Sequence, residues 1–349
     1  MNKLTKVGLS ALCGSLSAVS AANAGELSVT GGADMTYVST AGAATGNPIG
    51  MGSNLTFKGS GELDNGWTFG LTVANTNADA FSAADVNLVM GGLGSLNVNQ
   101  GNSGNGICAY DDKMPTAWEE PWGAGLTTGI RTVCGVGSST NIQYTTPKIL
   151  GFTVMLANAP HMGQSDTADK TNTGATTTNK GDGFDAVISL KPSFGTEILS
   201  ELELFLGGHY TDTAGNNPGT IDDDIYEAVG GITYALGPIS IGAQWSGEYL
   251  GDKTTISDYN AYQSHAYGVA FNISDNLSVS YGEHATRKQG YNNTNFGMGQ
   301  ANRQVKVDAI QAAYTWGGAS IRYAYIDGKN IGFGGQNEQS KVISLGLAF

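Results

Sequence analysis

The stretch Asp64-Asn65-Gly66-Trp67-Thr68-Phe69-Gly70-Leu71-Thr72-Val73-Ala74 decides the fold. Its first three residues accept the dihedrals of a tight turn at little cost. After them Trp67, Phe69, Leu71 and Val73 alternate with Thr68, Gly70, Thr72 and Ala74. Successive side chains of a strand point to opposite faces, so this run is a strand with one apolar face and one small or polar face. The same pattern recurs along the chain. Phe152, Val154 and Leu156 repeat it, as do Ile239, Ile241, Ala243 and Trp245, then Leu277, Val279 and Tyr281, then Ile321, Tyr323 and Tyr325.

A soluble sandwich would turn the apolar faces into a core, but the composition points to lipid. The apolar faces carry Trp, Tyr and Phe near strand ends, as interface girdles do, and the polar faces carry Gly, Ser and Thr beside lone charges. No segment approaches the run of about 18 to 20 apolar residues that a spanning helix needs. With 52 Gly, only 8 Pro, 13% charged residues and a mean hydropathy of -0.14, the chain reads as a lipid-facing barrel whose alternation cancels in any window average.

The connections set the size of the barrel. Tight turns are expected at 64–66, 91–94, 147–151, 237–238, 274–276 and 317–318. Between them lie longer polar stretches near 39–52, 75–82, 101–138, 159–182, 211–224, 251–261, 286–303 and 328–338. Short turns on one rim and long loops on the other organise outer-membrane barrels, with the long loops outside the cell. Eight long loops imply an all-β, transmembrane antiparallel barrel of about sixteen strands, too wide for side chains to fill and so enclosing an aqueous channel.

At the N-terminus, Lys3 and Lys6 precede a weakly apolar stretch that ends in Ala22-Asn23-Ala24. Residues 1–24 are read as a secretory signal peptide and 25–349 as the barrel. The net charge of -13 lacks the basic footprint that phosphate backbones require, so nucleic acid is excluded as a partner.

Several segments resemble the general porins of Gram-negative bacteria, especially the alphaproteobacterial, Rhodobacter-like type. They are Gly25 to Met35, Asn54 to Leu63, Gly66 to Leu71, Gly91 to Leu96, Gln143 to Pro147 and Gly151 to Val154, followed by a last strand ending in Ile343, Leu345, Leu347 and Phe349. The resemblance covers the whole mature chain. It implies an outer-membrane general diffusion porin that passes small hydrophilic solutes and ions passively. It also implies a homotrimer whose protomers are each narrowed by the third external loop, assembled through a signal ending at Phe349, among outer-membrane lipid and lipopolysaccharide. No cofactor is expected. Asp222-Asp223-Asp224 is at most an external Ca²⁺ site and more simply a solvated run.

The longest loop, about 101–138, falls third in order and holds Asp111, Asp112, Glu119 and Glu120. Carboxylates at a narrow point concentrate cations and hinder anions. Opposing charge is sparse: Lys58 and Arg322 are placed inward by alternation, and Arg131 lies in the loop. With Asp34, Asp185, Glu201, Glu203 and Glu227 also placed inward, weak cation selectivity is expected. Cys108 and Cys134 lie in the same loop in an oxidising compartment, where a disulfide would stiffen it.

Two rival readings are a substrate-selective channel and a barrel enzyme. The first wants an aromatic slide or basic cluster along the lumen, and none is identified. The second has only His161, His209, His265 and His284 to work with, and no nucleophile elbow, zinc-protease or phosphate-loop motif accompanies them. His209 and His284 fall toward strand ends beside acids and serines, so a Ser-His or Asp-His pair across strands is the enzyme-like arrangement left open.

Overall fold

The structure is a computed structural model that describes residues 26–41, 47–77, 83–101, 104–137, 139–163, 180–192, 197–213, 224–250, 259–290 and 304–348. The proposed signal segment, Phe349, Asp222 and Asp223 lie outside the described residues.

Sixteen strands form one closed antiparallel barrel. In chain order they are β1 (Leu27–Ala41), β2 (Ile49–Glu62), β3 (Thr68–Thr76), β4 (Ala83–Val89), β5 (Ser95–Gln100), β6 (Asn141–Thr145), β7 (Phe152–Ala159) and β8 (Lys180–Leu190). The second half comprises β9 (Leu202–Thr213), β10 (Ile225–Leu236), β11 (Ile239–Tyr249), β12 (Tyr259–Ser274), β13 (Leu277–Gly290), β14 (Gln304–Trp316), β15 (Ala319–Ile331) and β16 (Gln336–Ala348). Each strand pairs with its sequence neighbours, and β1 closes on β16 from Gly32↔Ala348 to Ala41↔Gln339. Closure leaves no unpaired edge, as a bilayer demands.

All six expected tight turns fall between strands, at β2–β3, β4–β5, β6–β7, β10–β11, β12–β13 and β14–β15. The seventh connection on that rim, β8–β9, had no turn signal, and it includes a short helix at Glu197–Ser200. The long stretch expected at 328–338 shrinks to a tight turn, because β15 runs on to Ile331 and the chain reverses with positive φ at Gly332, Phe333 and Gly335.

The alternation is realised as read. Leu71, Phe152, Ile239, Ile241, Trp245, Tyr281, Ile310 and Ile321 are all exposed on the outer surface. The buried apolar clusters lie instead inside the barrel, between its wall and the loop 101–140. One gathers Val305, Val307, Ala309, Ala324, Ile326 and Val342 against Trp118, Leu126 and Ile130. Another gathers Val187, Phe205 and Val229 around Ile107, Tyr110 and Val133. The inward face is therefore not uniformly small and polar, because where the loop packs the wall presents Val and Ile.

Candidate functional site

The third external loop enters the barrel between β5 and β6 and lies along the inner wall. A chain without regular structure must satisfy its backbone groups with something, and here inward side chains of the strands supply the partners. On the outward pass, the Gly106 N–H donates to Gln143 Oε1 (2.7 Å) and the Ile107 N–H to Asp185 Oδ2 (2.8 Å). Farther along, Gln244 accepts from the Lys113 N–H (3.1 Å) and donates to the Asp111 carbonyl (2.7 Å). Gln311 does the same for Glu119, accepting at 3.0 Å and donating at 2.5 Å. Each of these glutamines thus replaces one rung of a missing strand.

The return pass is held a level higher on the same wall. The Arg131 N–H donates to Thr286 Oγ1 (3.0 Å), and Ser264 Oγ donates to the Arg131 carbonyl (2.7 Å). Cys134 and Gly135 donate to Glu227 Oε2 (2.6 and 3.1 Å), and Val136 reaches Asp185 at 3.2 Å. Asp185, 0% exposed, so accepts from both passes of the loop. It also binds His209 Nδ1 at 2.5 Å, and His209 Nε2 lies 2.6 Å from Thr211 Oγ1. Close seating explains some inward glycines: a Cβ at Gly268 would stand 2.8 Å from the Pro115 carbonyl oxygen.

Two inward acids thus have a different role from the one expected of them. Asp185 and Glu227 point inward as read, but the loop covers them and they anchor it rather than line the lumen. The Asp-His pair left open above does form, from Asp185 and His209 across β8 and β9. Asp185, His209 and Thr211 are all at most 5% exposed, so no solute reaches them. Their value to the fold is the hydrogen bonds they give the loop.

The four loop acids come together as a chain of partly buried carboxylates. Asp111 lies beside Asp112, Asp112 beside Glu120, and Glu120 beside Glu119. Partial burial, then the neighbouring Asp112, pushes Asp111 up to about 7. Burial with Glu120 beside it raises Asp112 to about 6, and burial with Glu119 beside it raises Glu120 to about 7.

The three basic residues divide. Arg322 donates to Asp34 (2.8 Å) and lies over the Trp118 ring of the loop (5.0 Å). Arg131 forks onto Glu248, with Nη2 at 2.8 Å, and stacks on Tyr262 (4.9 Å). Lys58 is exposed on β2, with no ion pair among the described residues. Its wall, made with Thr56, Thr72, Asp85, Asn87 and Asn97, meets the loop where Asn97 accepts from Asn105 (3.0 Å). Glu203 pairs with Lys191 at 2.9 Å, and Glu201 lines a 330 Å³ recess with Lys113, Lys191 and Thr233.

Cys108 is buried, Cys134 is exposed, and both are free thiols with Sγ atoms 3.5 Å apart. Asp224 accepts from Tyr210 Oη (3.1 Å) and the Thr213 N–H (3.2 Å), so this member of the acidic run serves the wall. Sequence reasoning missed the anchors Gln143, Gln244, Ser264, Thr286 and Gln311. The only available signal was a long polar side chain at an inward position between small residues.

A family profile described as Gram-negative porin matches residues 8–349. No curated protein matches the chain. Among solved structures, Salmonella typhi OmpF in complex with daunomycin superposes with a TM-score of 0.67 at 12% identity, over 93% of this chain and 98% of that one. An anion-selective porin from Comamonas acidovorans gives 0.62 at 15% identity, covering 93% and 100%. Pseudomonas putida OprB gives 0.60 at 10%, covering 93% and 94%. At these identities the likeness is one of fold.

Proposed function

This chain belongs to the Gram-negative porin family, and from that premise we propose that it is a general diffusion porin with weak cation preference. The family and the barrel support an outer-membrane location and a channel rather than an enzyme. What supports the finer reading is that the third loop bears four clustered carboxylates, whereas Lys58 on the inner face of β2 has no ion pair among the described residues. Negative charge therefore outweighs positive charge where the lumen narrows, and cations are enriched there. Because Arg322 and Arg131 are tied to Asp34 and Glu248, the transverse field is modest.

The mechanism needs no chemistry. A hydrated solute enters from outside, passes the loop in contact with Thr, Asn and carboxylate groups, and leaves past the short turns. Size and charge at the loop select it.

Other parts of the reading extend this core. Residues 1–24 act as an export signal, and the likeness of the quoted segments supports an alphaproteobacterial type. A homotrimer is supported by the short strands β4, β5 and β6, of 7, 6 and 5 residues, since a spanning strand needs about 9 to 11. Neighbouring protomers cover that low wall. Cys108 and Cys134 close a disulfide in the oxidising periplasm, supported by their 3.5 Å approach.

The test is a planar-bilayer recording of the purified protein under a salt gradient. Large, salt-proportional steps arriving in threes with a reversal potential on the cation side are expected. An anion-side potential, as the Comamonas relative's description would suggest for that protein, would overturn the assigned selectivity, and an absence of steps from folded protein would overturn the open pore.

A further inference from the structure

Where the barrel closes on itself, the inner wall holds a recess of 550 Å³ on the short-turn side of the loop. One row of paired residues crosses it. Thr315 on β14 stands opposite Ser320 on β15, Ser320 opposite Gly346 on β16, Gly346 opposite Asp34 on β1, and Asp34 opposite Gly52 on β2. All of them share the inward face by alternation. The volume is that of a small-molecule site, for which about 300–1,000 Å³ is usual.

The charges that line this recess are Asp34 and Arg322, paired through Nη2 and Oδ2 at 2.8 Å. The pair is held in place. The guanidinium lies over the Trp118 ring at 5.0 Å, and the Trp118 N–H donates in turn to Gln311 Oε1 (3.2 Å). Ser344 Oγ donates to the other carboxylate oxygen of Asp34. Pairing nevertheless uses only part of each group. A guanidinium has five N–H donors, and each carboxylate oxygen can accept more than once. Arg322 Nε is buried with no acceptor among the described residues, so the N–H groups left for a solute are those of Nη1 and Nη2. The Asp34 side chain keeps 36% of its surface exposed.

The backbone leaves room around the pair. A Cβ at Gly346 would stand 2.5 Å from Arg322 Nη2 and 2.9 Å from Ser320 Oγ, so glycine there lets both side chains lean across the wall. At Gly52 a Cβ would meet only Asn77 Oδ1, at 3.5 Å, so the space beside Asp34 is open.

We propose that this recess is a subsite for small zwitterionic solutes, the solute carboxylate on Arg322 and its ammonium group on Asp34. The proposal rests on reading the chain as an open pore. A fixed ion pair carries no net charge, so a simple anion or a simple cation is attracted by one member and repelled by the other at nearly the same distance. A solute with a carboxylate and an ammonium group on one carbon meets opposite charge at both ends. Asn54 and Ser320 line the same recess and offer an amide and a hydroxyl to the remainder of the solute. Because the pair is already held by Trp118 and Ser344, little ordering is needed when a solute arrives. Such a site fills at low concentration and saturates at high concentration, which free diffusion through a pore does not.

The test is uptake of labelled L-alanine into liposomes carrying the purified protein, measured against concentration, with KCl conductance recorded from the same preparation. Wild type is expected to show a saturable component, competed by glycine and not by propionate or ethylammonium. Asp34→Asn/Arg322→Gln removes both charges together, so neither is stranded, and should raise the half-saturating concentration about tenfold, the factor carried by one hydrogen bond to a charged group. Gly52→Leu fills the recess, leaves the ion pair in place, and should do the same. Half-saturation does not depend on how many channels fold, so a loss of folded protein does not imitate the result. Strictly linear uptake through channels that conduct KCl overturns the subsite and leaves the open pore standing, whereas an absence of KCl conductance overturns the pore and the subsite with it. Competition by propionate equal to that by glycine overturns the zwitterion assignment, and an unchanged half-saturating concentration in both variants overturns the role of the recess.

Discussion

The two halves of the inner wall are built from the same alternating text and do different work. On β8 to β14 the inward polar residues are buried under the loop and spend their hydrogen bonds on its backbone: Asp185, Gln244, Ser264, Thr286 and Gln311. On β2 to β5 the inward Thr56, Lys58, Thr72 and Asp85 face the channel. An inward polar residue therefore anchors or lines according to what covers it. Its own chemistry does not decide.

The largest expected effect comes from breaking an anchor. Asp185→Ala removes an acceptor from the N–H groups of Ile107 and Val136 and strands His209 beside Thr211. Deleting one member of a buried, charge-assisted pair costs about 3–5 kcal/mol. Urea unfolding in detergent micelles should show that loss, and single-channel traces should become noisy and larger as the loop detaches. The matched change on the bare wall, Asp85→Ala, loses a contact with Asn97 (3.2 Å) in a wet lumen and should shift stability by about 0.5 kcal/mol or less. Comparable losses from the two substitutions would erase the distinction between the walls.

Next in size is the charge on the loop. With Asp111 and Glu120 raised to about 7 and Asp112 to about 6, the cluster is charged above that range and neutral well below it. Cation selectivity should therefore be full near pH 8 and decline as pH falls through 7 and 6. Reversal potentials across a salt gradient follow it directly. Asp111→Asn/Asp112→Asn/Glu120→Gln should flatten that profile at the acidic-limit value. A triple variant that keeps the wild-type pH profile would move the selectivity away from the loop.

These two regions also mark how far the sequence could be read. The outer face was legible because lipid acts on every outward position alike, so Trp67 to Val73 and Ile239 to Trp245 carry a clean period of two. Strand count and turns followed from it. The inner face was half legible. Asp185 and Glu227 were placed inward correctly, but nothing adjacent in sequence tells that the loop, 49 and 93 residues away, will lie on them. Val305, Val307, Ala324 and Ile326 break the polar pattern inward, and that break was the available trace of a packed loop. The four carboxylates were found because loop order and length singled them out; that Arg322 and Arg131 would be neutralised by wall acids depended on register across the seam and on the loop's return path.

A smaller effect sharpens the comparison on the basic side. Lys58→Gln removes an exposed, unpaired charge from the bare wall, whereas Arg322→Gln removes a charge already balanced by Asp34 and packed on Trp118. The first should raise cation preference slightly and leave urea stability unchanged, because an exposed lysine contributes little to the fold. The second should cost about 1–3 kcal/mol, since it strands Asp34 and uncovers the Trp118 ring, and should also raise cation preference by freeing that carboxylate. Selectivity alone does not separate the two; stability does. If Lys58→Gln destabilised the barrel as much as Arg322→Gln, the bare wall would be holding the loop through contacts like those of the clad one, and the channel would have to run elsewhere.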